Sequence, residues 1–311
     1  NRRRLPGTPP RRGRPSSDSG SGRSLVMDLS NWWLFPVSIA IAAIANGAGI
    51  GGATFFSPLF VIVLGLEPAV AIGAALATEV FGFASGVIAH ARAKAIDWRV
   101  VRLLATASVP AAIVGSLLAG VAPETLLKIV LGVGLFIIAL TFVRHHDTKE
   151  EDEEIAMGID VVEPYQMRRI VTSDDKVYEY KLCRTAEGRT GAGIGGLFVG
   201  LISTGLGEAN SFTLVKRCRV PSRIAVAVSV ATVAITALAA SVTHAVGFLT
   251  NPDADFATIA SVIIFTIPGV LIGGQLGPAL VGTIPEQRLI RGLGWLFLAI
   301  AAITLTEAAL G

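Results

Sequence analysis

Long apolar stretches separated by short polar breaks make up most of the chain. A helix needs about 20 apolar residues to cross a lipid bilayer, and most of these stretches are long enough. The pattern therefore predicts an all-α membrane protein. The apolar stretches are 34–66, 68–91, 100–122, 125–143, 191–215, 222–249, 256–282 and 287–308.

Two polar regions divide the chain into four parts. Residues 1–33 are rich in Arg, Pro, Gly and Ser and predict a disordered tail. Residues 144–190 predict a soluble cytoplasmic insert, in which strand-forming residues on both sides of 173–176 indicate a small β-hairpin. The remaining parts, 34–143 and 191–311, are predicted to be two transmembrane repeats.

Composition supports the membrane class. The 311 residues are 52% hydrophobic and 16% charged, whereas soluble domains carry about 25% charged residues. Neither the two cysteines nor the four histidines show metal-ligand spacing. We therefore expect no metal, no cofactor and no nucleic-acid partner, and we expect Cys183 and Cys218 to be free thiols.

The two halves of the chain repeat the same signals in the same order. Ala77-Thr78 precedes His90, and Ala231-Thr232 precedes His244, with twelve residues from threonine to histidine in both cases. Val109-Pro110 matches Ile267-Pro268 further on, and NGAGIGGA at 46–53 lies opposite STGLGEAN at 203–210. Because the matches keep one order, they indicate an internal repeat.

Loop charges predict that the two repeats are inverted in the membrane. The loop HARAKAIDWR is basic and should be cytoplasmic, whereas its counterpart FLTNPDADF has no basic residue and should be external. Inversion needs an odd number of crossings in each half. Three full spans per half satisfy this condition only if the leading stretches, 34–66 and 191–215, are re-entrant hairpins of broken helices.

The polar, glycine-rich centres of the leading stretches predict a binding site. Broken backbone at membrane depth is tolerated where it is buried or lines a cavity, and a half-helix that begins there points amide donors and a positive dipole end at an anion. Two such tips would meet near the midplane of the membrane. The candidate substrate-binding residues are Asn46, Gly49, Gly51, Gly52, Thr54, Thr78, Ser203, Thr204, Gly205, Gly207, Asn210, Ser211 and Thr232.

Two deep carboxyl groups, those of Glu79 and Glu208, are candidates for proton or ion coupling, because charge at membrane depth is costly and usually functional. Each could instead cap a broken helix. His90 and His244 lie nearer the membrane faces and are candidates for a gate or for interfacial packing. Thr78 and Thr232 lie on small, hydroxylated helix faces, which suit either a lined pathway or close helix packing.

Two enzyme interpretations fail on context, and we expect the protein not to be an enzyme. GAGIGG occurs at 47–52 and 191–196, but a dinucleotide fingerprint needs a preceding strand and a βαβ unit, and both copies lie in apolar stretches. The sequence GLGE at 205–208 suggests an intramembrane aspartyl protease, yet the apolar stretches contain no deep aspartate pair.

The motifs NGAGIGGATFFSPLF, AALATEVFGFASGVIAHARAKAIDWR and AVSVATVAITALAASVTH resemble the TauE/SafE family of sulfite exporters. The resemblance covers about residues 34–143 and 191–308. It implies a multi-span transporter of small sulfur oxyanions or sulfonates, built from two related halves. The long insert at 144–190 and the glutamate at position 208 depart from the usual pattern.

The sequence thus predicts a secondary transporter of a small anion, most closely sulfite or an organosulfonate, in the cell membrane. Its expected partners are the anionic substrate and the lipid bilayer, and a homo-oligomer is compatible with the sequence. A transporter of another carboxylate or of a cation, a channel, and a non-transporting membrane sensor that signals through 144–190 remain alternatives.

Overall fold

A computed structural model describes residues 29–48, 51–143, 167–181, 185–250, 256–280 and 286–310. Within these ranges the chain is mostly helical, as the apolar pattern predicts. Leu29–Trp33, at the end of the predicted disordered tail, instead form a 3-10 helix. Trp33 packs partly buried against an apolar cluster of the membrane helices, which accounts for the order; the rest of the tail lies outside the described residues.

The helices of the two halves follow a common order. The first half contains α1 (Leu34–Ala48), α2 (Ala53–Pro58) with a π-helical continuation (Leu59–Val63), α3 (Pro68–Arg92), α4 (Trp98–Ala119) and α5 (Glu124–Val143). The second half contains α6 (Thr185–Ile202), α7 (Leu206–Ser211) with a π-helical continuation (Phe212–Arg217), α8 (Ser222–Thr250), α9 (Phe256–Leu280) and α10 (Glu286–Leu310).

Among the described residues, four helical segments are long and apolar enough to cross a membrane. They are Pro68–Arg92, Trp98–Ala119, Ser222–Thr250 and Thr258–Gly277. Shorter apolar helical segments occur at Ala53–Val63 and Gly294–Ala309. Many large apolar side chains point outward, among them Leu117, Val246 and Trp295. Threonine and serine hydroxyls are buried inside instead, which is the distribution that a lipid environment favours.

Helices of one half pack mainly on helices of the other. The leading helix α1 lies along α9, and its counterpart α6 lies along α4. The last helices, α5 and α10, also pack together, and α3 contacts both α8 and α9. The two halves are therefore interleaved and share their packing surfaces.

Glycines allow close backbone approach in the contacts between α1 and α9 and between α4 and α6. A Cβ atom on Gly200 of α6 would collide with the Ala112 carbonyl of α4, and one on Gly273 of α9 would collide with the Ile39 carbonyl of α1. Small residues let membrane helices approach until their backbones touch. These contacts hold α1 and α6 firmly against the long helices.

A two-stranded antiparallel hairpin lies between the halves. It consists of β1 (Met167–Val171) and β2 (Val177–Lys181), with Met167 paired to Lys181 and Val171 to Val177. The hairpin contacts the α3–α4 loop, where the Ser173 amide donates to the Ala93 carbonyl at 3.0 Å. It also contacts the start of α8, where Arg223 donates to Asp174 at 3.0 and 3.1 Å. The insert is thus attached to both halves.

Asp97 is the centre of the hairpin contact. Its side chain caps α4 by accepting from the Arg99 amide at 3.0 Å, and it accepts from Arg168 at 2.6 and 2.8 Å and from the Tyr180 hydroxyl at 2.7 Å. Burial disfavours the charged form, but the bonds from Arg168, Tyr180 and the Arg99 amide outweigh it and hold the pKa of Asp97 below its usual value. The sequence analysis assigned Asp97 to the basic loop HARAKAIDWR and predicted no contacts for it.

Cys218 forms a disulfide bond, so the expectation of a free thiol is wrong there. The hairpin brings distant parts of the chain together at this point, because Tyr180 and Cys218 belong to one buried apolar cluster. β2 ends at Lys181, two residues before Cys183, which itself lies outside the described residues. The spacing of residues along the sequence does not predict that Tyr180 and Cys218 lie in one cluster.

Candidate functional site

Both leading stretches are interrupted helices at the positions that the sequence singles out. In the first half α1 ends at Ala48 and α2 begins at Ala53. In the second half α6 ends at Ile202 and α7 begins at Leu206, and the connection contains two residues in left-handed backbone, Ser203 (φ 59°) and Gly205 (φ 108°). Glycine tolerates such a φ without strain, so Gly205 makes the sharp turn possible.

The two interruptions meet inside the protein. The Thr54 hydroxyl lies 2.5 Å from the Thr204 hydroxyl and donates to Glu208 Oε1 at 3.0 Å. Because Thr54 donates its one proton to Glu208, Thr204 is the donor to Thr54. The Ser57 hydroxyl contacts the Ser203 hydroxyl beside this pair. We call these four hydroxyls and the Glu208 carboxylate the hydroxyl cluster.

The hydroxyl cluster is polar and enclosed. Thr54, Ser57 and Ser203 have no exposed surface and Thr204 is 1% exposed, so the four hydroxyls are shielded from solvent, whereas Glu208 is partly exposed. Buried polar groups must find hydrogen-bond partners or cost free energy. Here the partners come from opposite halves, so the cluster joins the two interruptions.

Sequence reasoning missed Ser57, although a signal was available. Ser57 follows Thr54 by three residues, which places both on one face of a helix. Its neighbours are large apolar residues and Pro58, and the binding residues predicted in this stretch therefore ended at Thr54.

Glu208 closes the start of α7. Its Oε2 accepts from the Gly205 amide at 3.2 Å, while its Oε1 accepts from Thr54. A glutamate at the third helical position that reaches back to the residue before the helix is half of a capping box. Both Glu208 oxygens therefore have donors, and one of them belongs to its own helix.

Glu79 plays the corresponding part for α2 from a different helix. It is 2% exposed in the middle of α3, and its Oε1 accepts from the Ala53 amide at 3.1 Å. The next amides of α2, those of Thr54 and Phe55, donate to the Gly51 and Gly52 carbonyls at 3.2 and 3.0 Å. The expectation of bare amide donors at both tips is therefore wrong for Ala53 and for Gly205, because carboxylates of the protein already occupy them.

Asn46 lies near Glu79 at the end of α1. Its Nδ2 donates to the Ala42 carbonyl at 2.9 Å, and the side chain is 1% exposed. Within the described part of the chain, three buried side-chain atoms have no hydrogen-bond partner: Asn46 Oδ1, Glu79 Oε2 and Asn210 Nδ2. Asn46 and Glu79 line the same small cavity, of about 10 Å³.

The two histidines make equivalent bonds. His90 Nε2 lies 3.4 Å from the Asn46 carbonyl, and His244 Nε2 lies 2.9 Å from the Gly200 carbonyl. Each pair is 44 residues apart in sequence, so Asn46 occupies the place in α1 that Gly200 occupies in α6. Both histidines are buried and tie α3 and α8 to the leading helices.

The other predicted substrate-binding residues lie outside the hydroxyl cluster. Thr78 bonds Thr266 of α9 at 2.8 Å, and Thr232 donates to the Val228 carbonyl of its own helix at 2.8 Å. The Gly207 carbonyl accepts from Ser229 at 3.3 Å. Gly51 and Gly52 lie at the start of α2, and Asn210 and Ser211 lie in α7. Gly49 and the Ser211 side chain lie outside the description.

Apolar outer faces, several long apolar helices and two broken helices that meet in the interior define a multi-pass membrane protein of the transporter class. Comparison with known proteins identifies the family. The model for the sulfite exporter TauE/SafE family matches residues 34–304, and the chain belongs to this family. The resemblance noted in the sequence is thereby confirmed.

The chain is also similar to a bacterial relative. Over 248 residues it is 25% identical to the probable membrane transporter protein YjnA of Bacillus subtilis (strain 168), and the match covers 78% of this chain and 88% of the relative. No solved structure matches the chain. The family and this relative both indicate a membrane transporter, which is not an enzyme.

Proposed function

We propose that the protein is a secondary transporter of a small anion, sulfite or a related organosulfonate, and that the substrate binds where the two helix interruptions meet. The contact between Thr54 and Thr204 carries the proposal. It joins residues from opposite halves at the two places where backbone regularity is lost, and transporters built from repeats hold their substrates at such junctions. The family name supports a sulfur oxyanion as the substrate.

The hydroxyl cluster suits an oxyanion once the internal carboxylates give way. Thr54, Ser57, Ser203 and Thr204 supply hydroxyl donors, and the Ala53 and Gly205 amides lie beside them. In the present arrangement Glu79 and Glu208 accept from these two amides. A bound oxyanion would replace a carboxylate oxygen at the same donor. Neutralisation of a carboxylate by a proton would favour that exchange, and proton coupling is part of the proposal.

The architecture supports alternating access between two halves. The shared order of helices and the equivalent histidine bonds are what two inverted repeats with re-entrant leading hairpins would produce. We propose that one half rocks against the other around the hydroxyl cluster. Bonds between the halves, such as the one from Thr54 to Glu208, would break and form again during the cycle.

Flux measurements in proteoliposomes test the proposed function. Vesicles that contain the purified protein should take up labelled sulfite in a saturable manner, and unlabelled sulfite or a two-carbon sulfonate should compete. Empty vesicles are the control. Absence of flux with every sulfur anion would contradict the proposal, whereas competition by a simple carboxylate alone would favour a carboxylate carrier, and uptake of a metal cation a cation carrier.

A second candidate function, a non-transporting sensor, draws support from the hairpin. The Asp97–Arg168 and Arg223–Asp174 ion pairs attach the insert to both halves, so a change in the membrane part could reach it. Arg168→Ala should release the hairpin from Asp97. A transporter keeps its sulfite flux in this variant, whereas a sensor without flux does not transport sulfite in either form.

A further inference from the structure

Glu79 and Glu208 differ in the hydrogen-bonding capacity that they leave unused. Both oxygens of Glu208 accept bonds, from Thr54 and from the Gly205 amide. Glu79 uses Oε1 to accept from the Ala53 amide, while its Oε2 is buried without a partner among the described residues. A buried carboxyl oxygen without a donor costs free energy. Only Glu79 therefore has an evident vacancy for a further ligand.

Glu79 lines a small cavity together with a second residue that has an unsatisfied oxygen. Asn46 Oδ1 is buried and has no partner in the described structure, and Asn46 and Glu79 both line the cavity. The other lining side chains are apolar, among them Phe56, Phe83 and Val270. The cavity volume of about 10 Å³ is close to the minimum that holds one water molecule. A water-sized space is thus bordered by two residues that each have a buried oxygen without a partner among the described residues.

A proton fits this arrangement better than a metal ion. Hard cations such as Ca²⁺ and Mg²⁺ take six or more oxygen ligands, whereas the cavity presents two oxygens that lack partners and otherwise apolar walls. A proton on Glu79 Oε2 turns an acceptor into a donor. One water molecule in the cavity can then accept from Glu79, so that Oε2 no longer lacks a partner.

Few charged groups surround Glu79. Glu208 of α7 acts on it electrostatically and is of like charge. The described parts of α1, α2 and α9, which pack on α3, carry no titratable side chain. The remaining neighbours contribute Arg223 and His244 of α8 and Glu124 and Lys128 near the start of α5. α3 itself contains His90 and Arg92 near its end. No cation in the described structure pairs with the Glu79 carboxyl.

On this basis we propose that the cavity between Asn46 and Glu79 is the proton site of the transporter, with Glu79 Oε2 as the group that binds the proton, and that Glu208 is a positioning residue that caps α7. The inference rests on the proposed function, because a coupled proton needs a transported anion. A proton taken from water on one side binds Glu79 Oε2 and is released to water on the other side. It weakens the hold of Glu79 on the Ala53 amide and thereby favours anion binding.

Two assays on reconstituted full-length protein separate coupling from transport. Counterflow of labelled sulfite against unlabelled sulfite, at equal pH on both sides, reports transport alone. Accumulation of labelled sulfite under an imposed pH gradient reports coupling. Wild type should show both. Glu79→Gln should retain measurable counterflow, and its accumulation should fall to the level reached without a gradient.

Matched glutamate variants make the result specific. Glu307→Gln, which changes an exposed glutamate of α10, should behave as wild type. Glu208→Gln should still respond to the pH gradient, at a lower rate. Accumulation in Glu79→Gln equal to that in Glu307→Gln would overturn the inference, and so would accumulation in wild type driven by a sodium gradient and not by pH. Absence of counterflow in wild type would instead overturn the proposed function.

Infrared difference spectroscopy between high and low pH supplies a readout that does not depend on flux or on the folding of Glu79→Gln. Wild type should show the band of a buried protonated carboxyl group. The band should persist in Glu208→Gln and shift in Asn46→Ala, because Asn46 shares the cavity. Its loss in Glu208→Gln would assign the proton to the other carboxyl and overturn the inference.

Discussion

The two helix interruptions have the same place in the fold but are stabilised differently. At the second interruption, the Gly205 amide bonds Glu208 three residues further along the same chain segment. At the first, the Ala53 amide bonds Glu79, which lies 26 residues away on α3. A local cap is fixed as soon as its helix forms, whereas a cap from another helix depends on how the two helices pack. We therefore expect the carboxyl group of the first interruption to give up its amide donor more readily than that of the second.

The backbone angles of the two interruptions also indicate that the second is determined locally and the first is not. Ser203 and Gly205 have positive φ angles, whereas Gly52 is in ordinary right-handed helical backbone at φ −63°. The conformation of the second interruption is therefore determined by its own backbone. The described part of the first, from residue 51 onward, depends instead on contacts with neighbouring helices. This comparison leads to three predictions, which begin with the largest expected effect.

Thr54→Val should have the largest effect, because Thr54 belongs to one interruption and contacts the other. The substitution removes the acceptor of the Thr204 hydroxyl and the donor to Glu208 Oε1, while Glu208 Oε2 keeps its bond from the Gly205 amide. It should destabilise the protein by about 1–3 kcal/mol. We expect labelled-sulfite uptake to fall by about tenfold or more, as for a change of about 1.4 kcal/mol in a site interaction. Thermal unfolding in detergent and proteoliposome flux measure the two effects.

Matched threonine variants control for the loss of a hydroxyl group. Thr54→Ser keeps a hydroxyl and should retain most of the stability and flux. Thr304→Val removes a buried hydroxyl that bonds only the Ile300 carbonyl of its own helix, and it should leave flux unchanged. If Thr54→Val and Thr304→Val behave alike, the interruptions are not joined through Thr54.

Gly205→Ala and Gly52→Ala should separate the two interruptions by backbone strain. Gly205 has a φ of 108°, and a Cβ there would lie 3.1 Å from the Phe198 Cβ, so alanine should cost about 1–2 kcal/mol. A Cβ at Gly52 meets nothing closer than 3.7 Å, and alanine there should change stability by less than about 1 kcal/mol in either direction. Equal shifts in the unfolding temperature of the two variants would contradict the distinction.

His244→Gln and His90→Gln should give the smallest effects and rank the two leading helices. His244 lies 2.9 Å from the Gly200 carbonyl, whereas His90 lies 3.4 Å from the Asn46 carbonyl, a distance at which a hydrogen bond is weak. Interhelical hydrogen bonds in membranes average about 0.6 kcal/mol, so we expect a loss of that size for His244→Gln and a smaller loss for His90→Gln. The reverse order in thermal unfolding would show that α1 is held more tightly than α6.

Much of the helical architecture was predictable because lipid imposes a strong and simple constraint. The stretch 68–91 became Pro68–Arg92, and 222–249 became Ser222–Thr250. The interruptions were also predictable, because Gly, Ser, Thr and Asn in an apolar stretch are incompatible with an ordinary lipid-facing span. The partners of each side chain were harder to predict. The His90 and His244 bonds place Asn46 opposite Gly200, a register three residues from the one that motif matching suggested.

The sequence by itself determined that this chain is a multi-pass membrane protein of the TauE/SafE family, and it determined where the leading helices break, because hydropathy and local backbone preference act over a few residues. The tertiary structure decided which donors and acceptors meet. It brought Thr54 to Thr204, placed Glu79 on the Ala53 amide, and left Glu79 Oε2 without a partner beside a cavity that Asn46 also lines. These contacts join residues on different helices, and helix packing alone sets their distances.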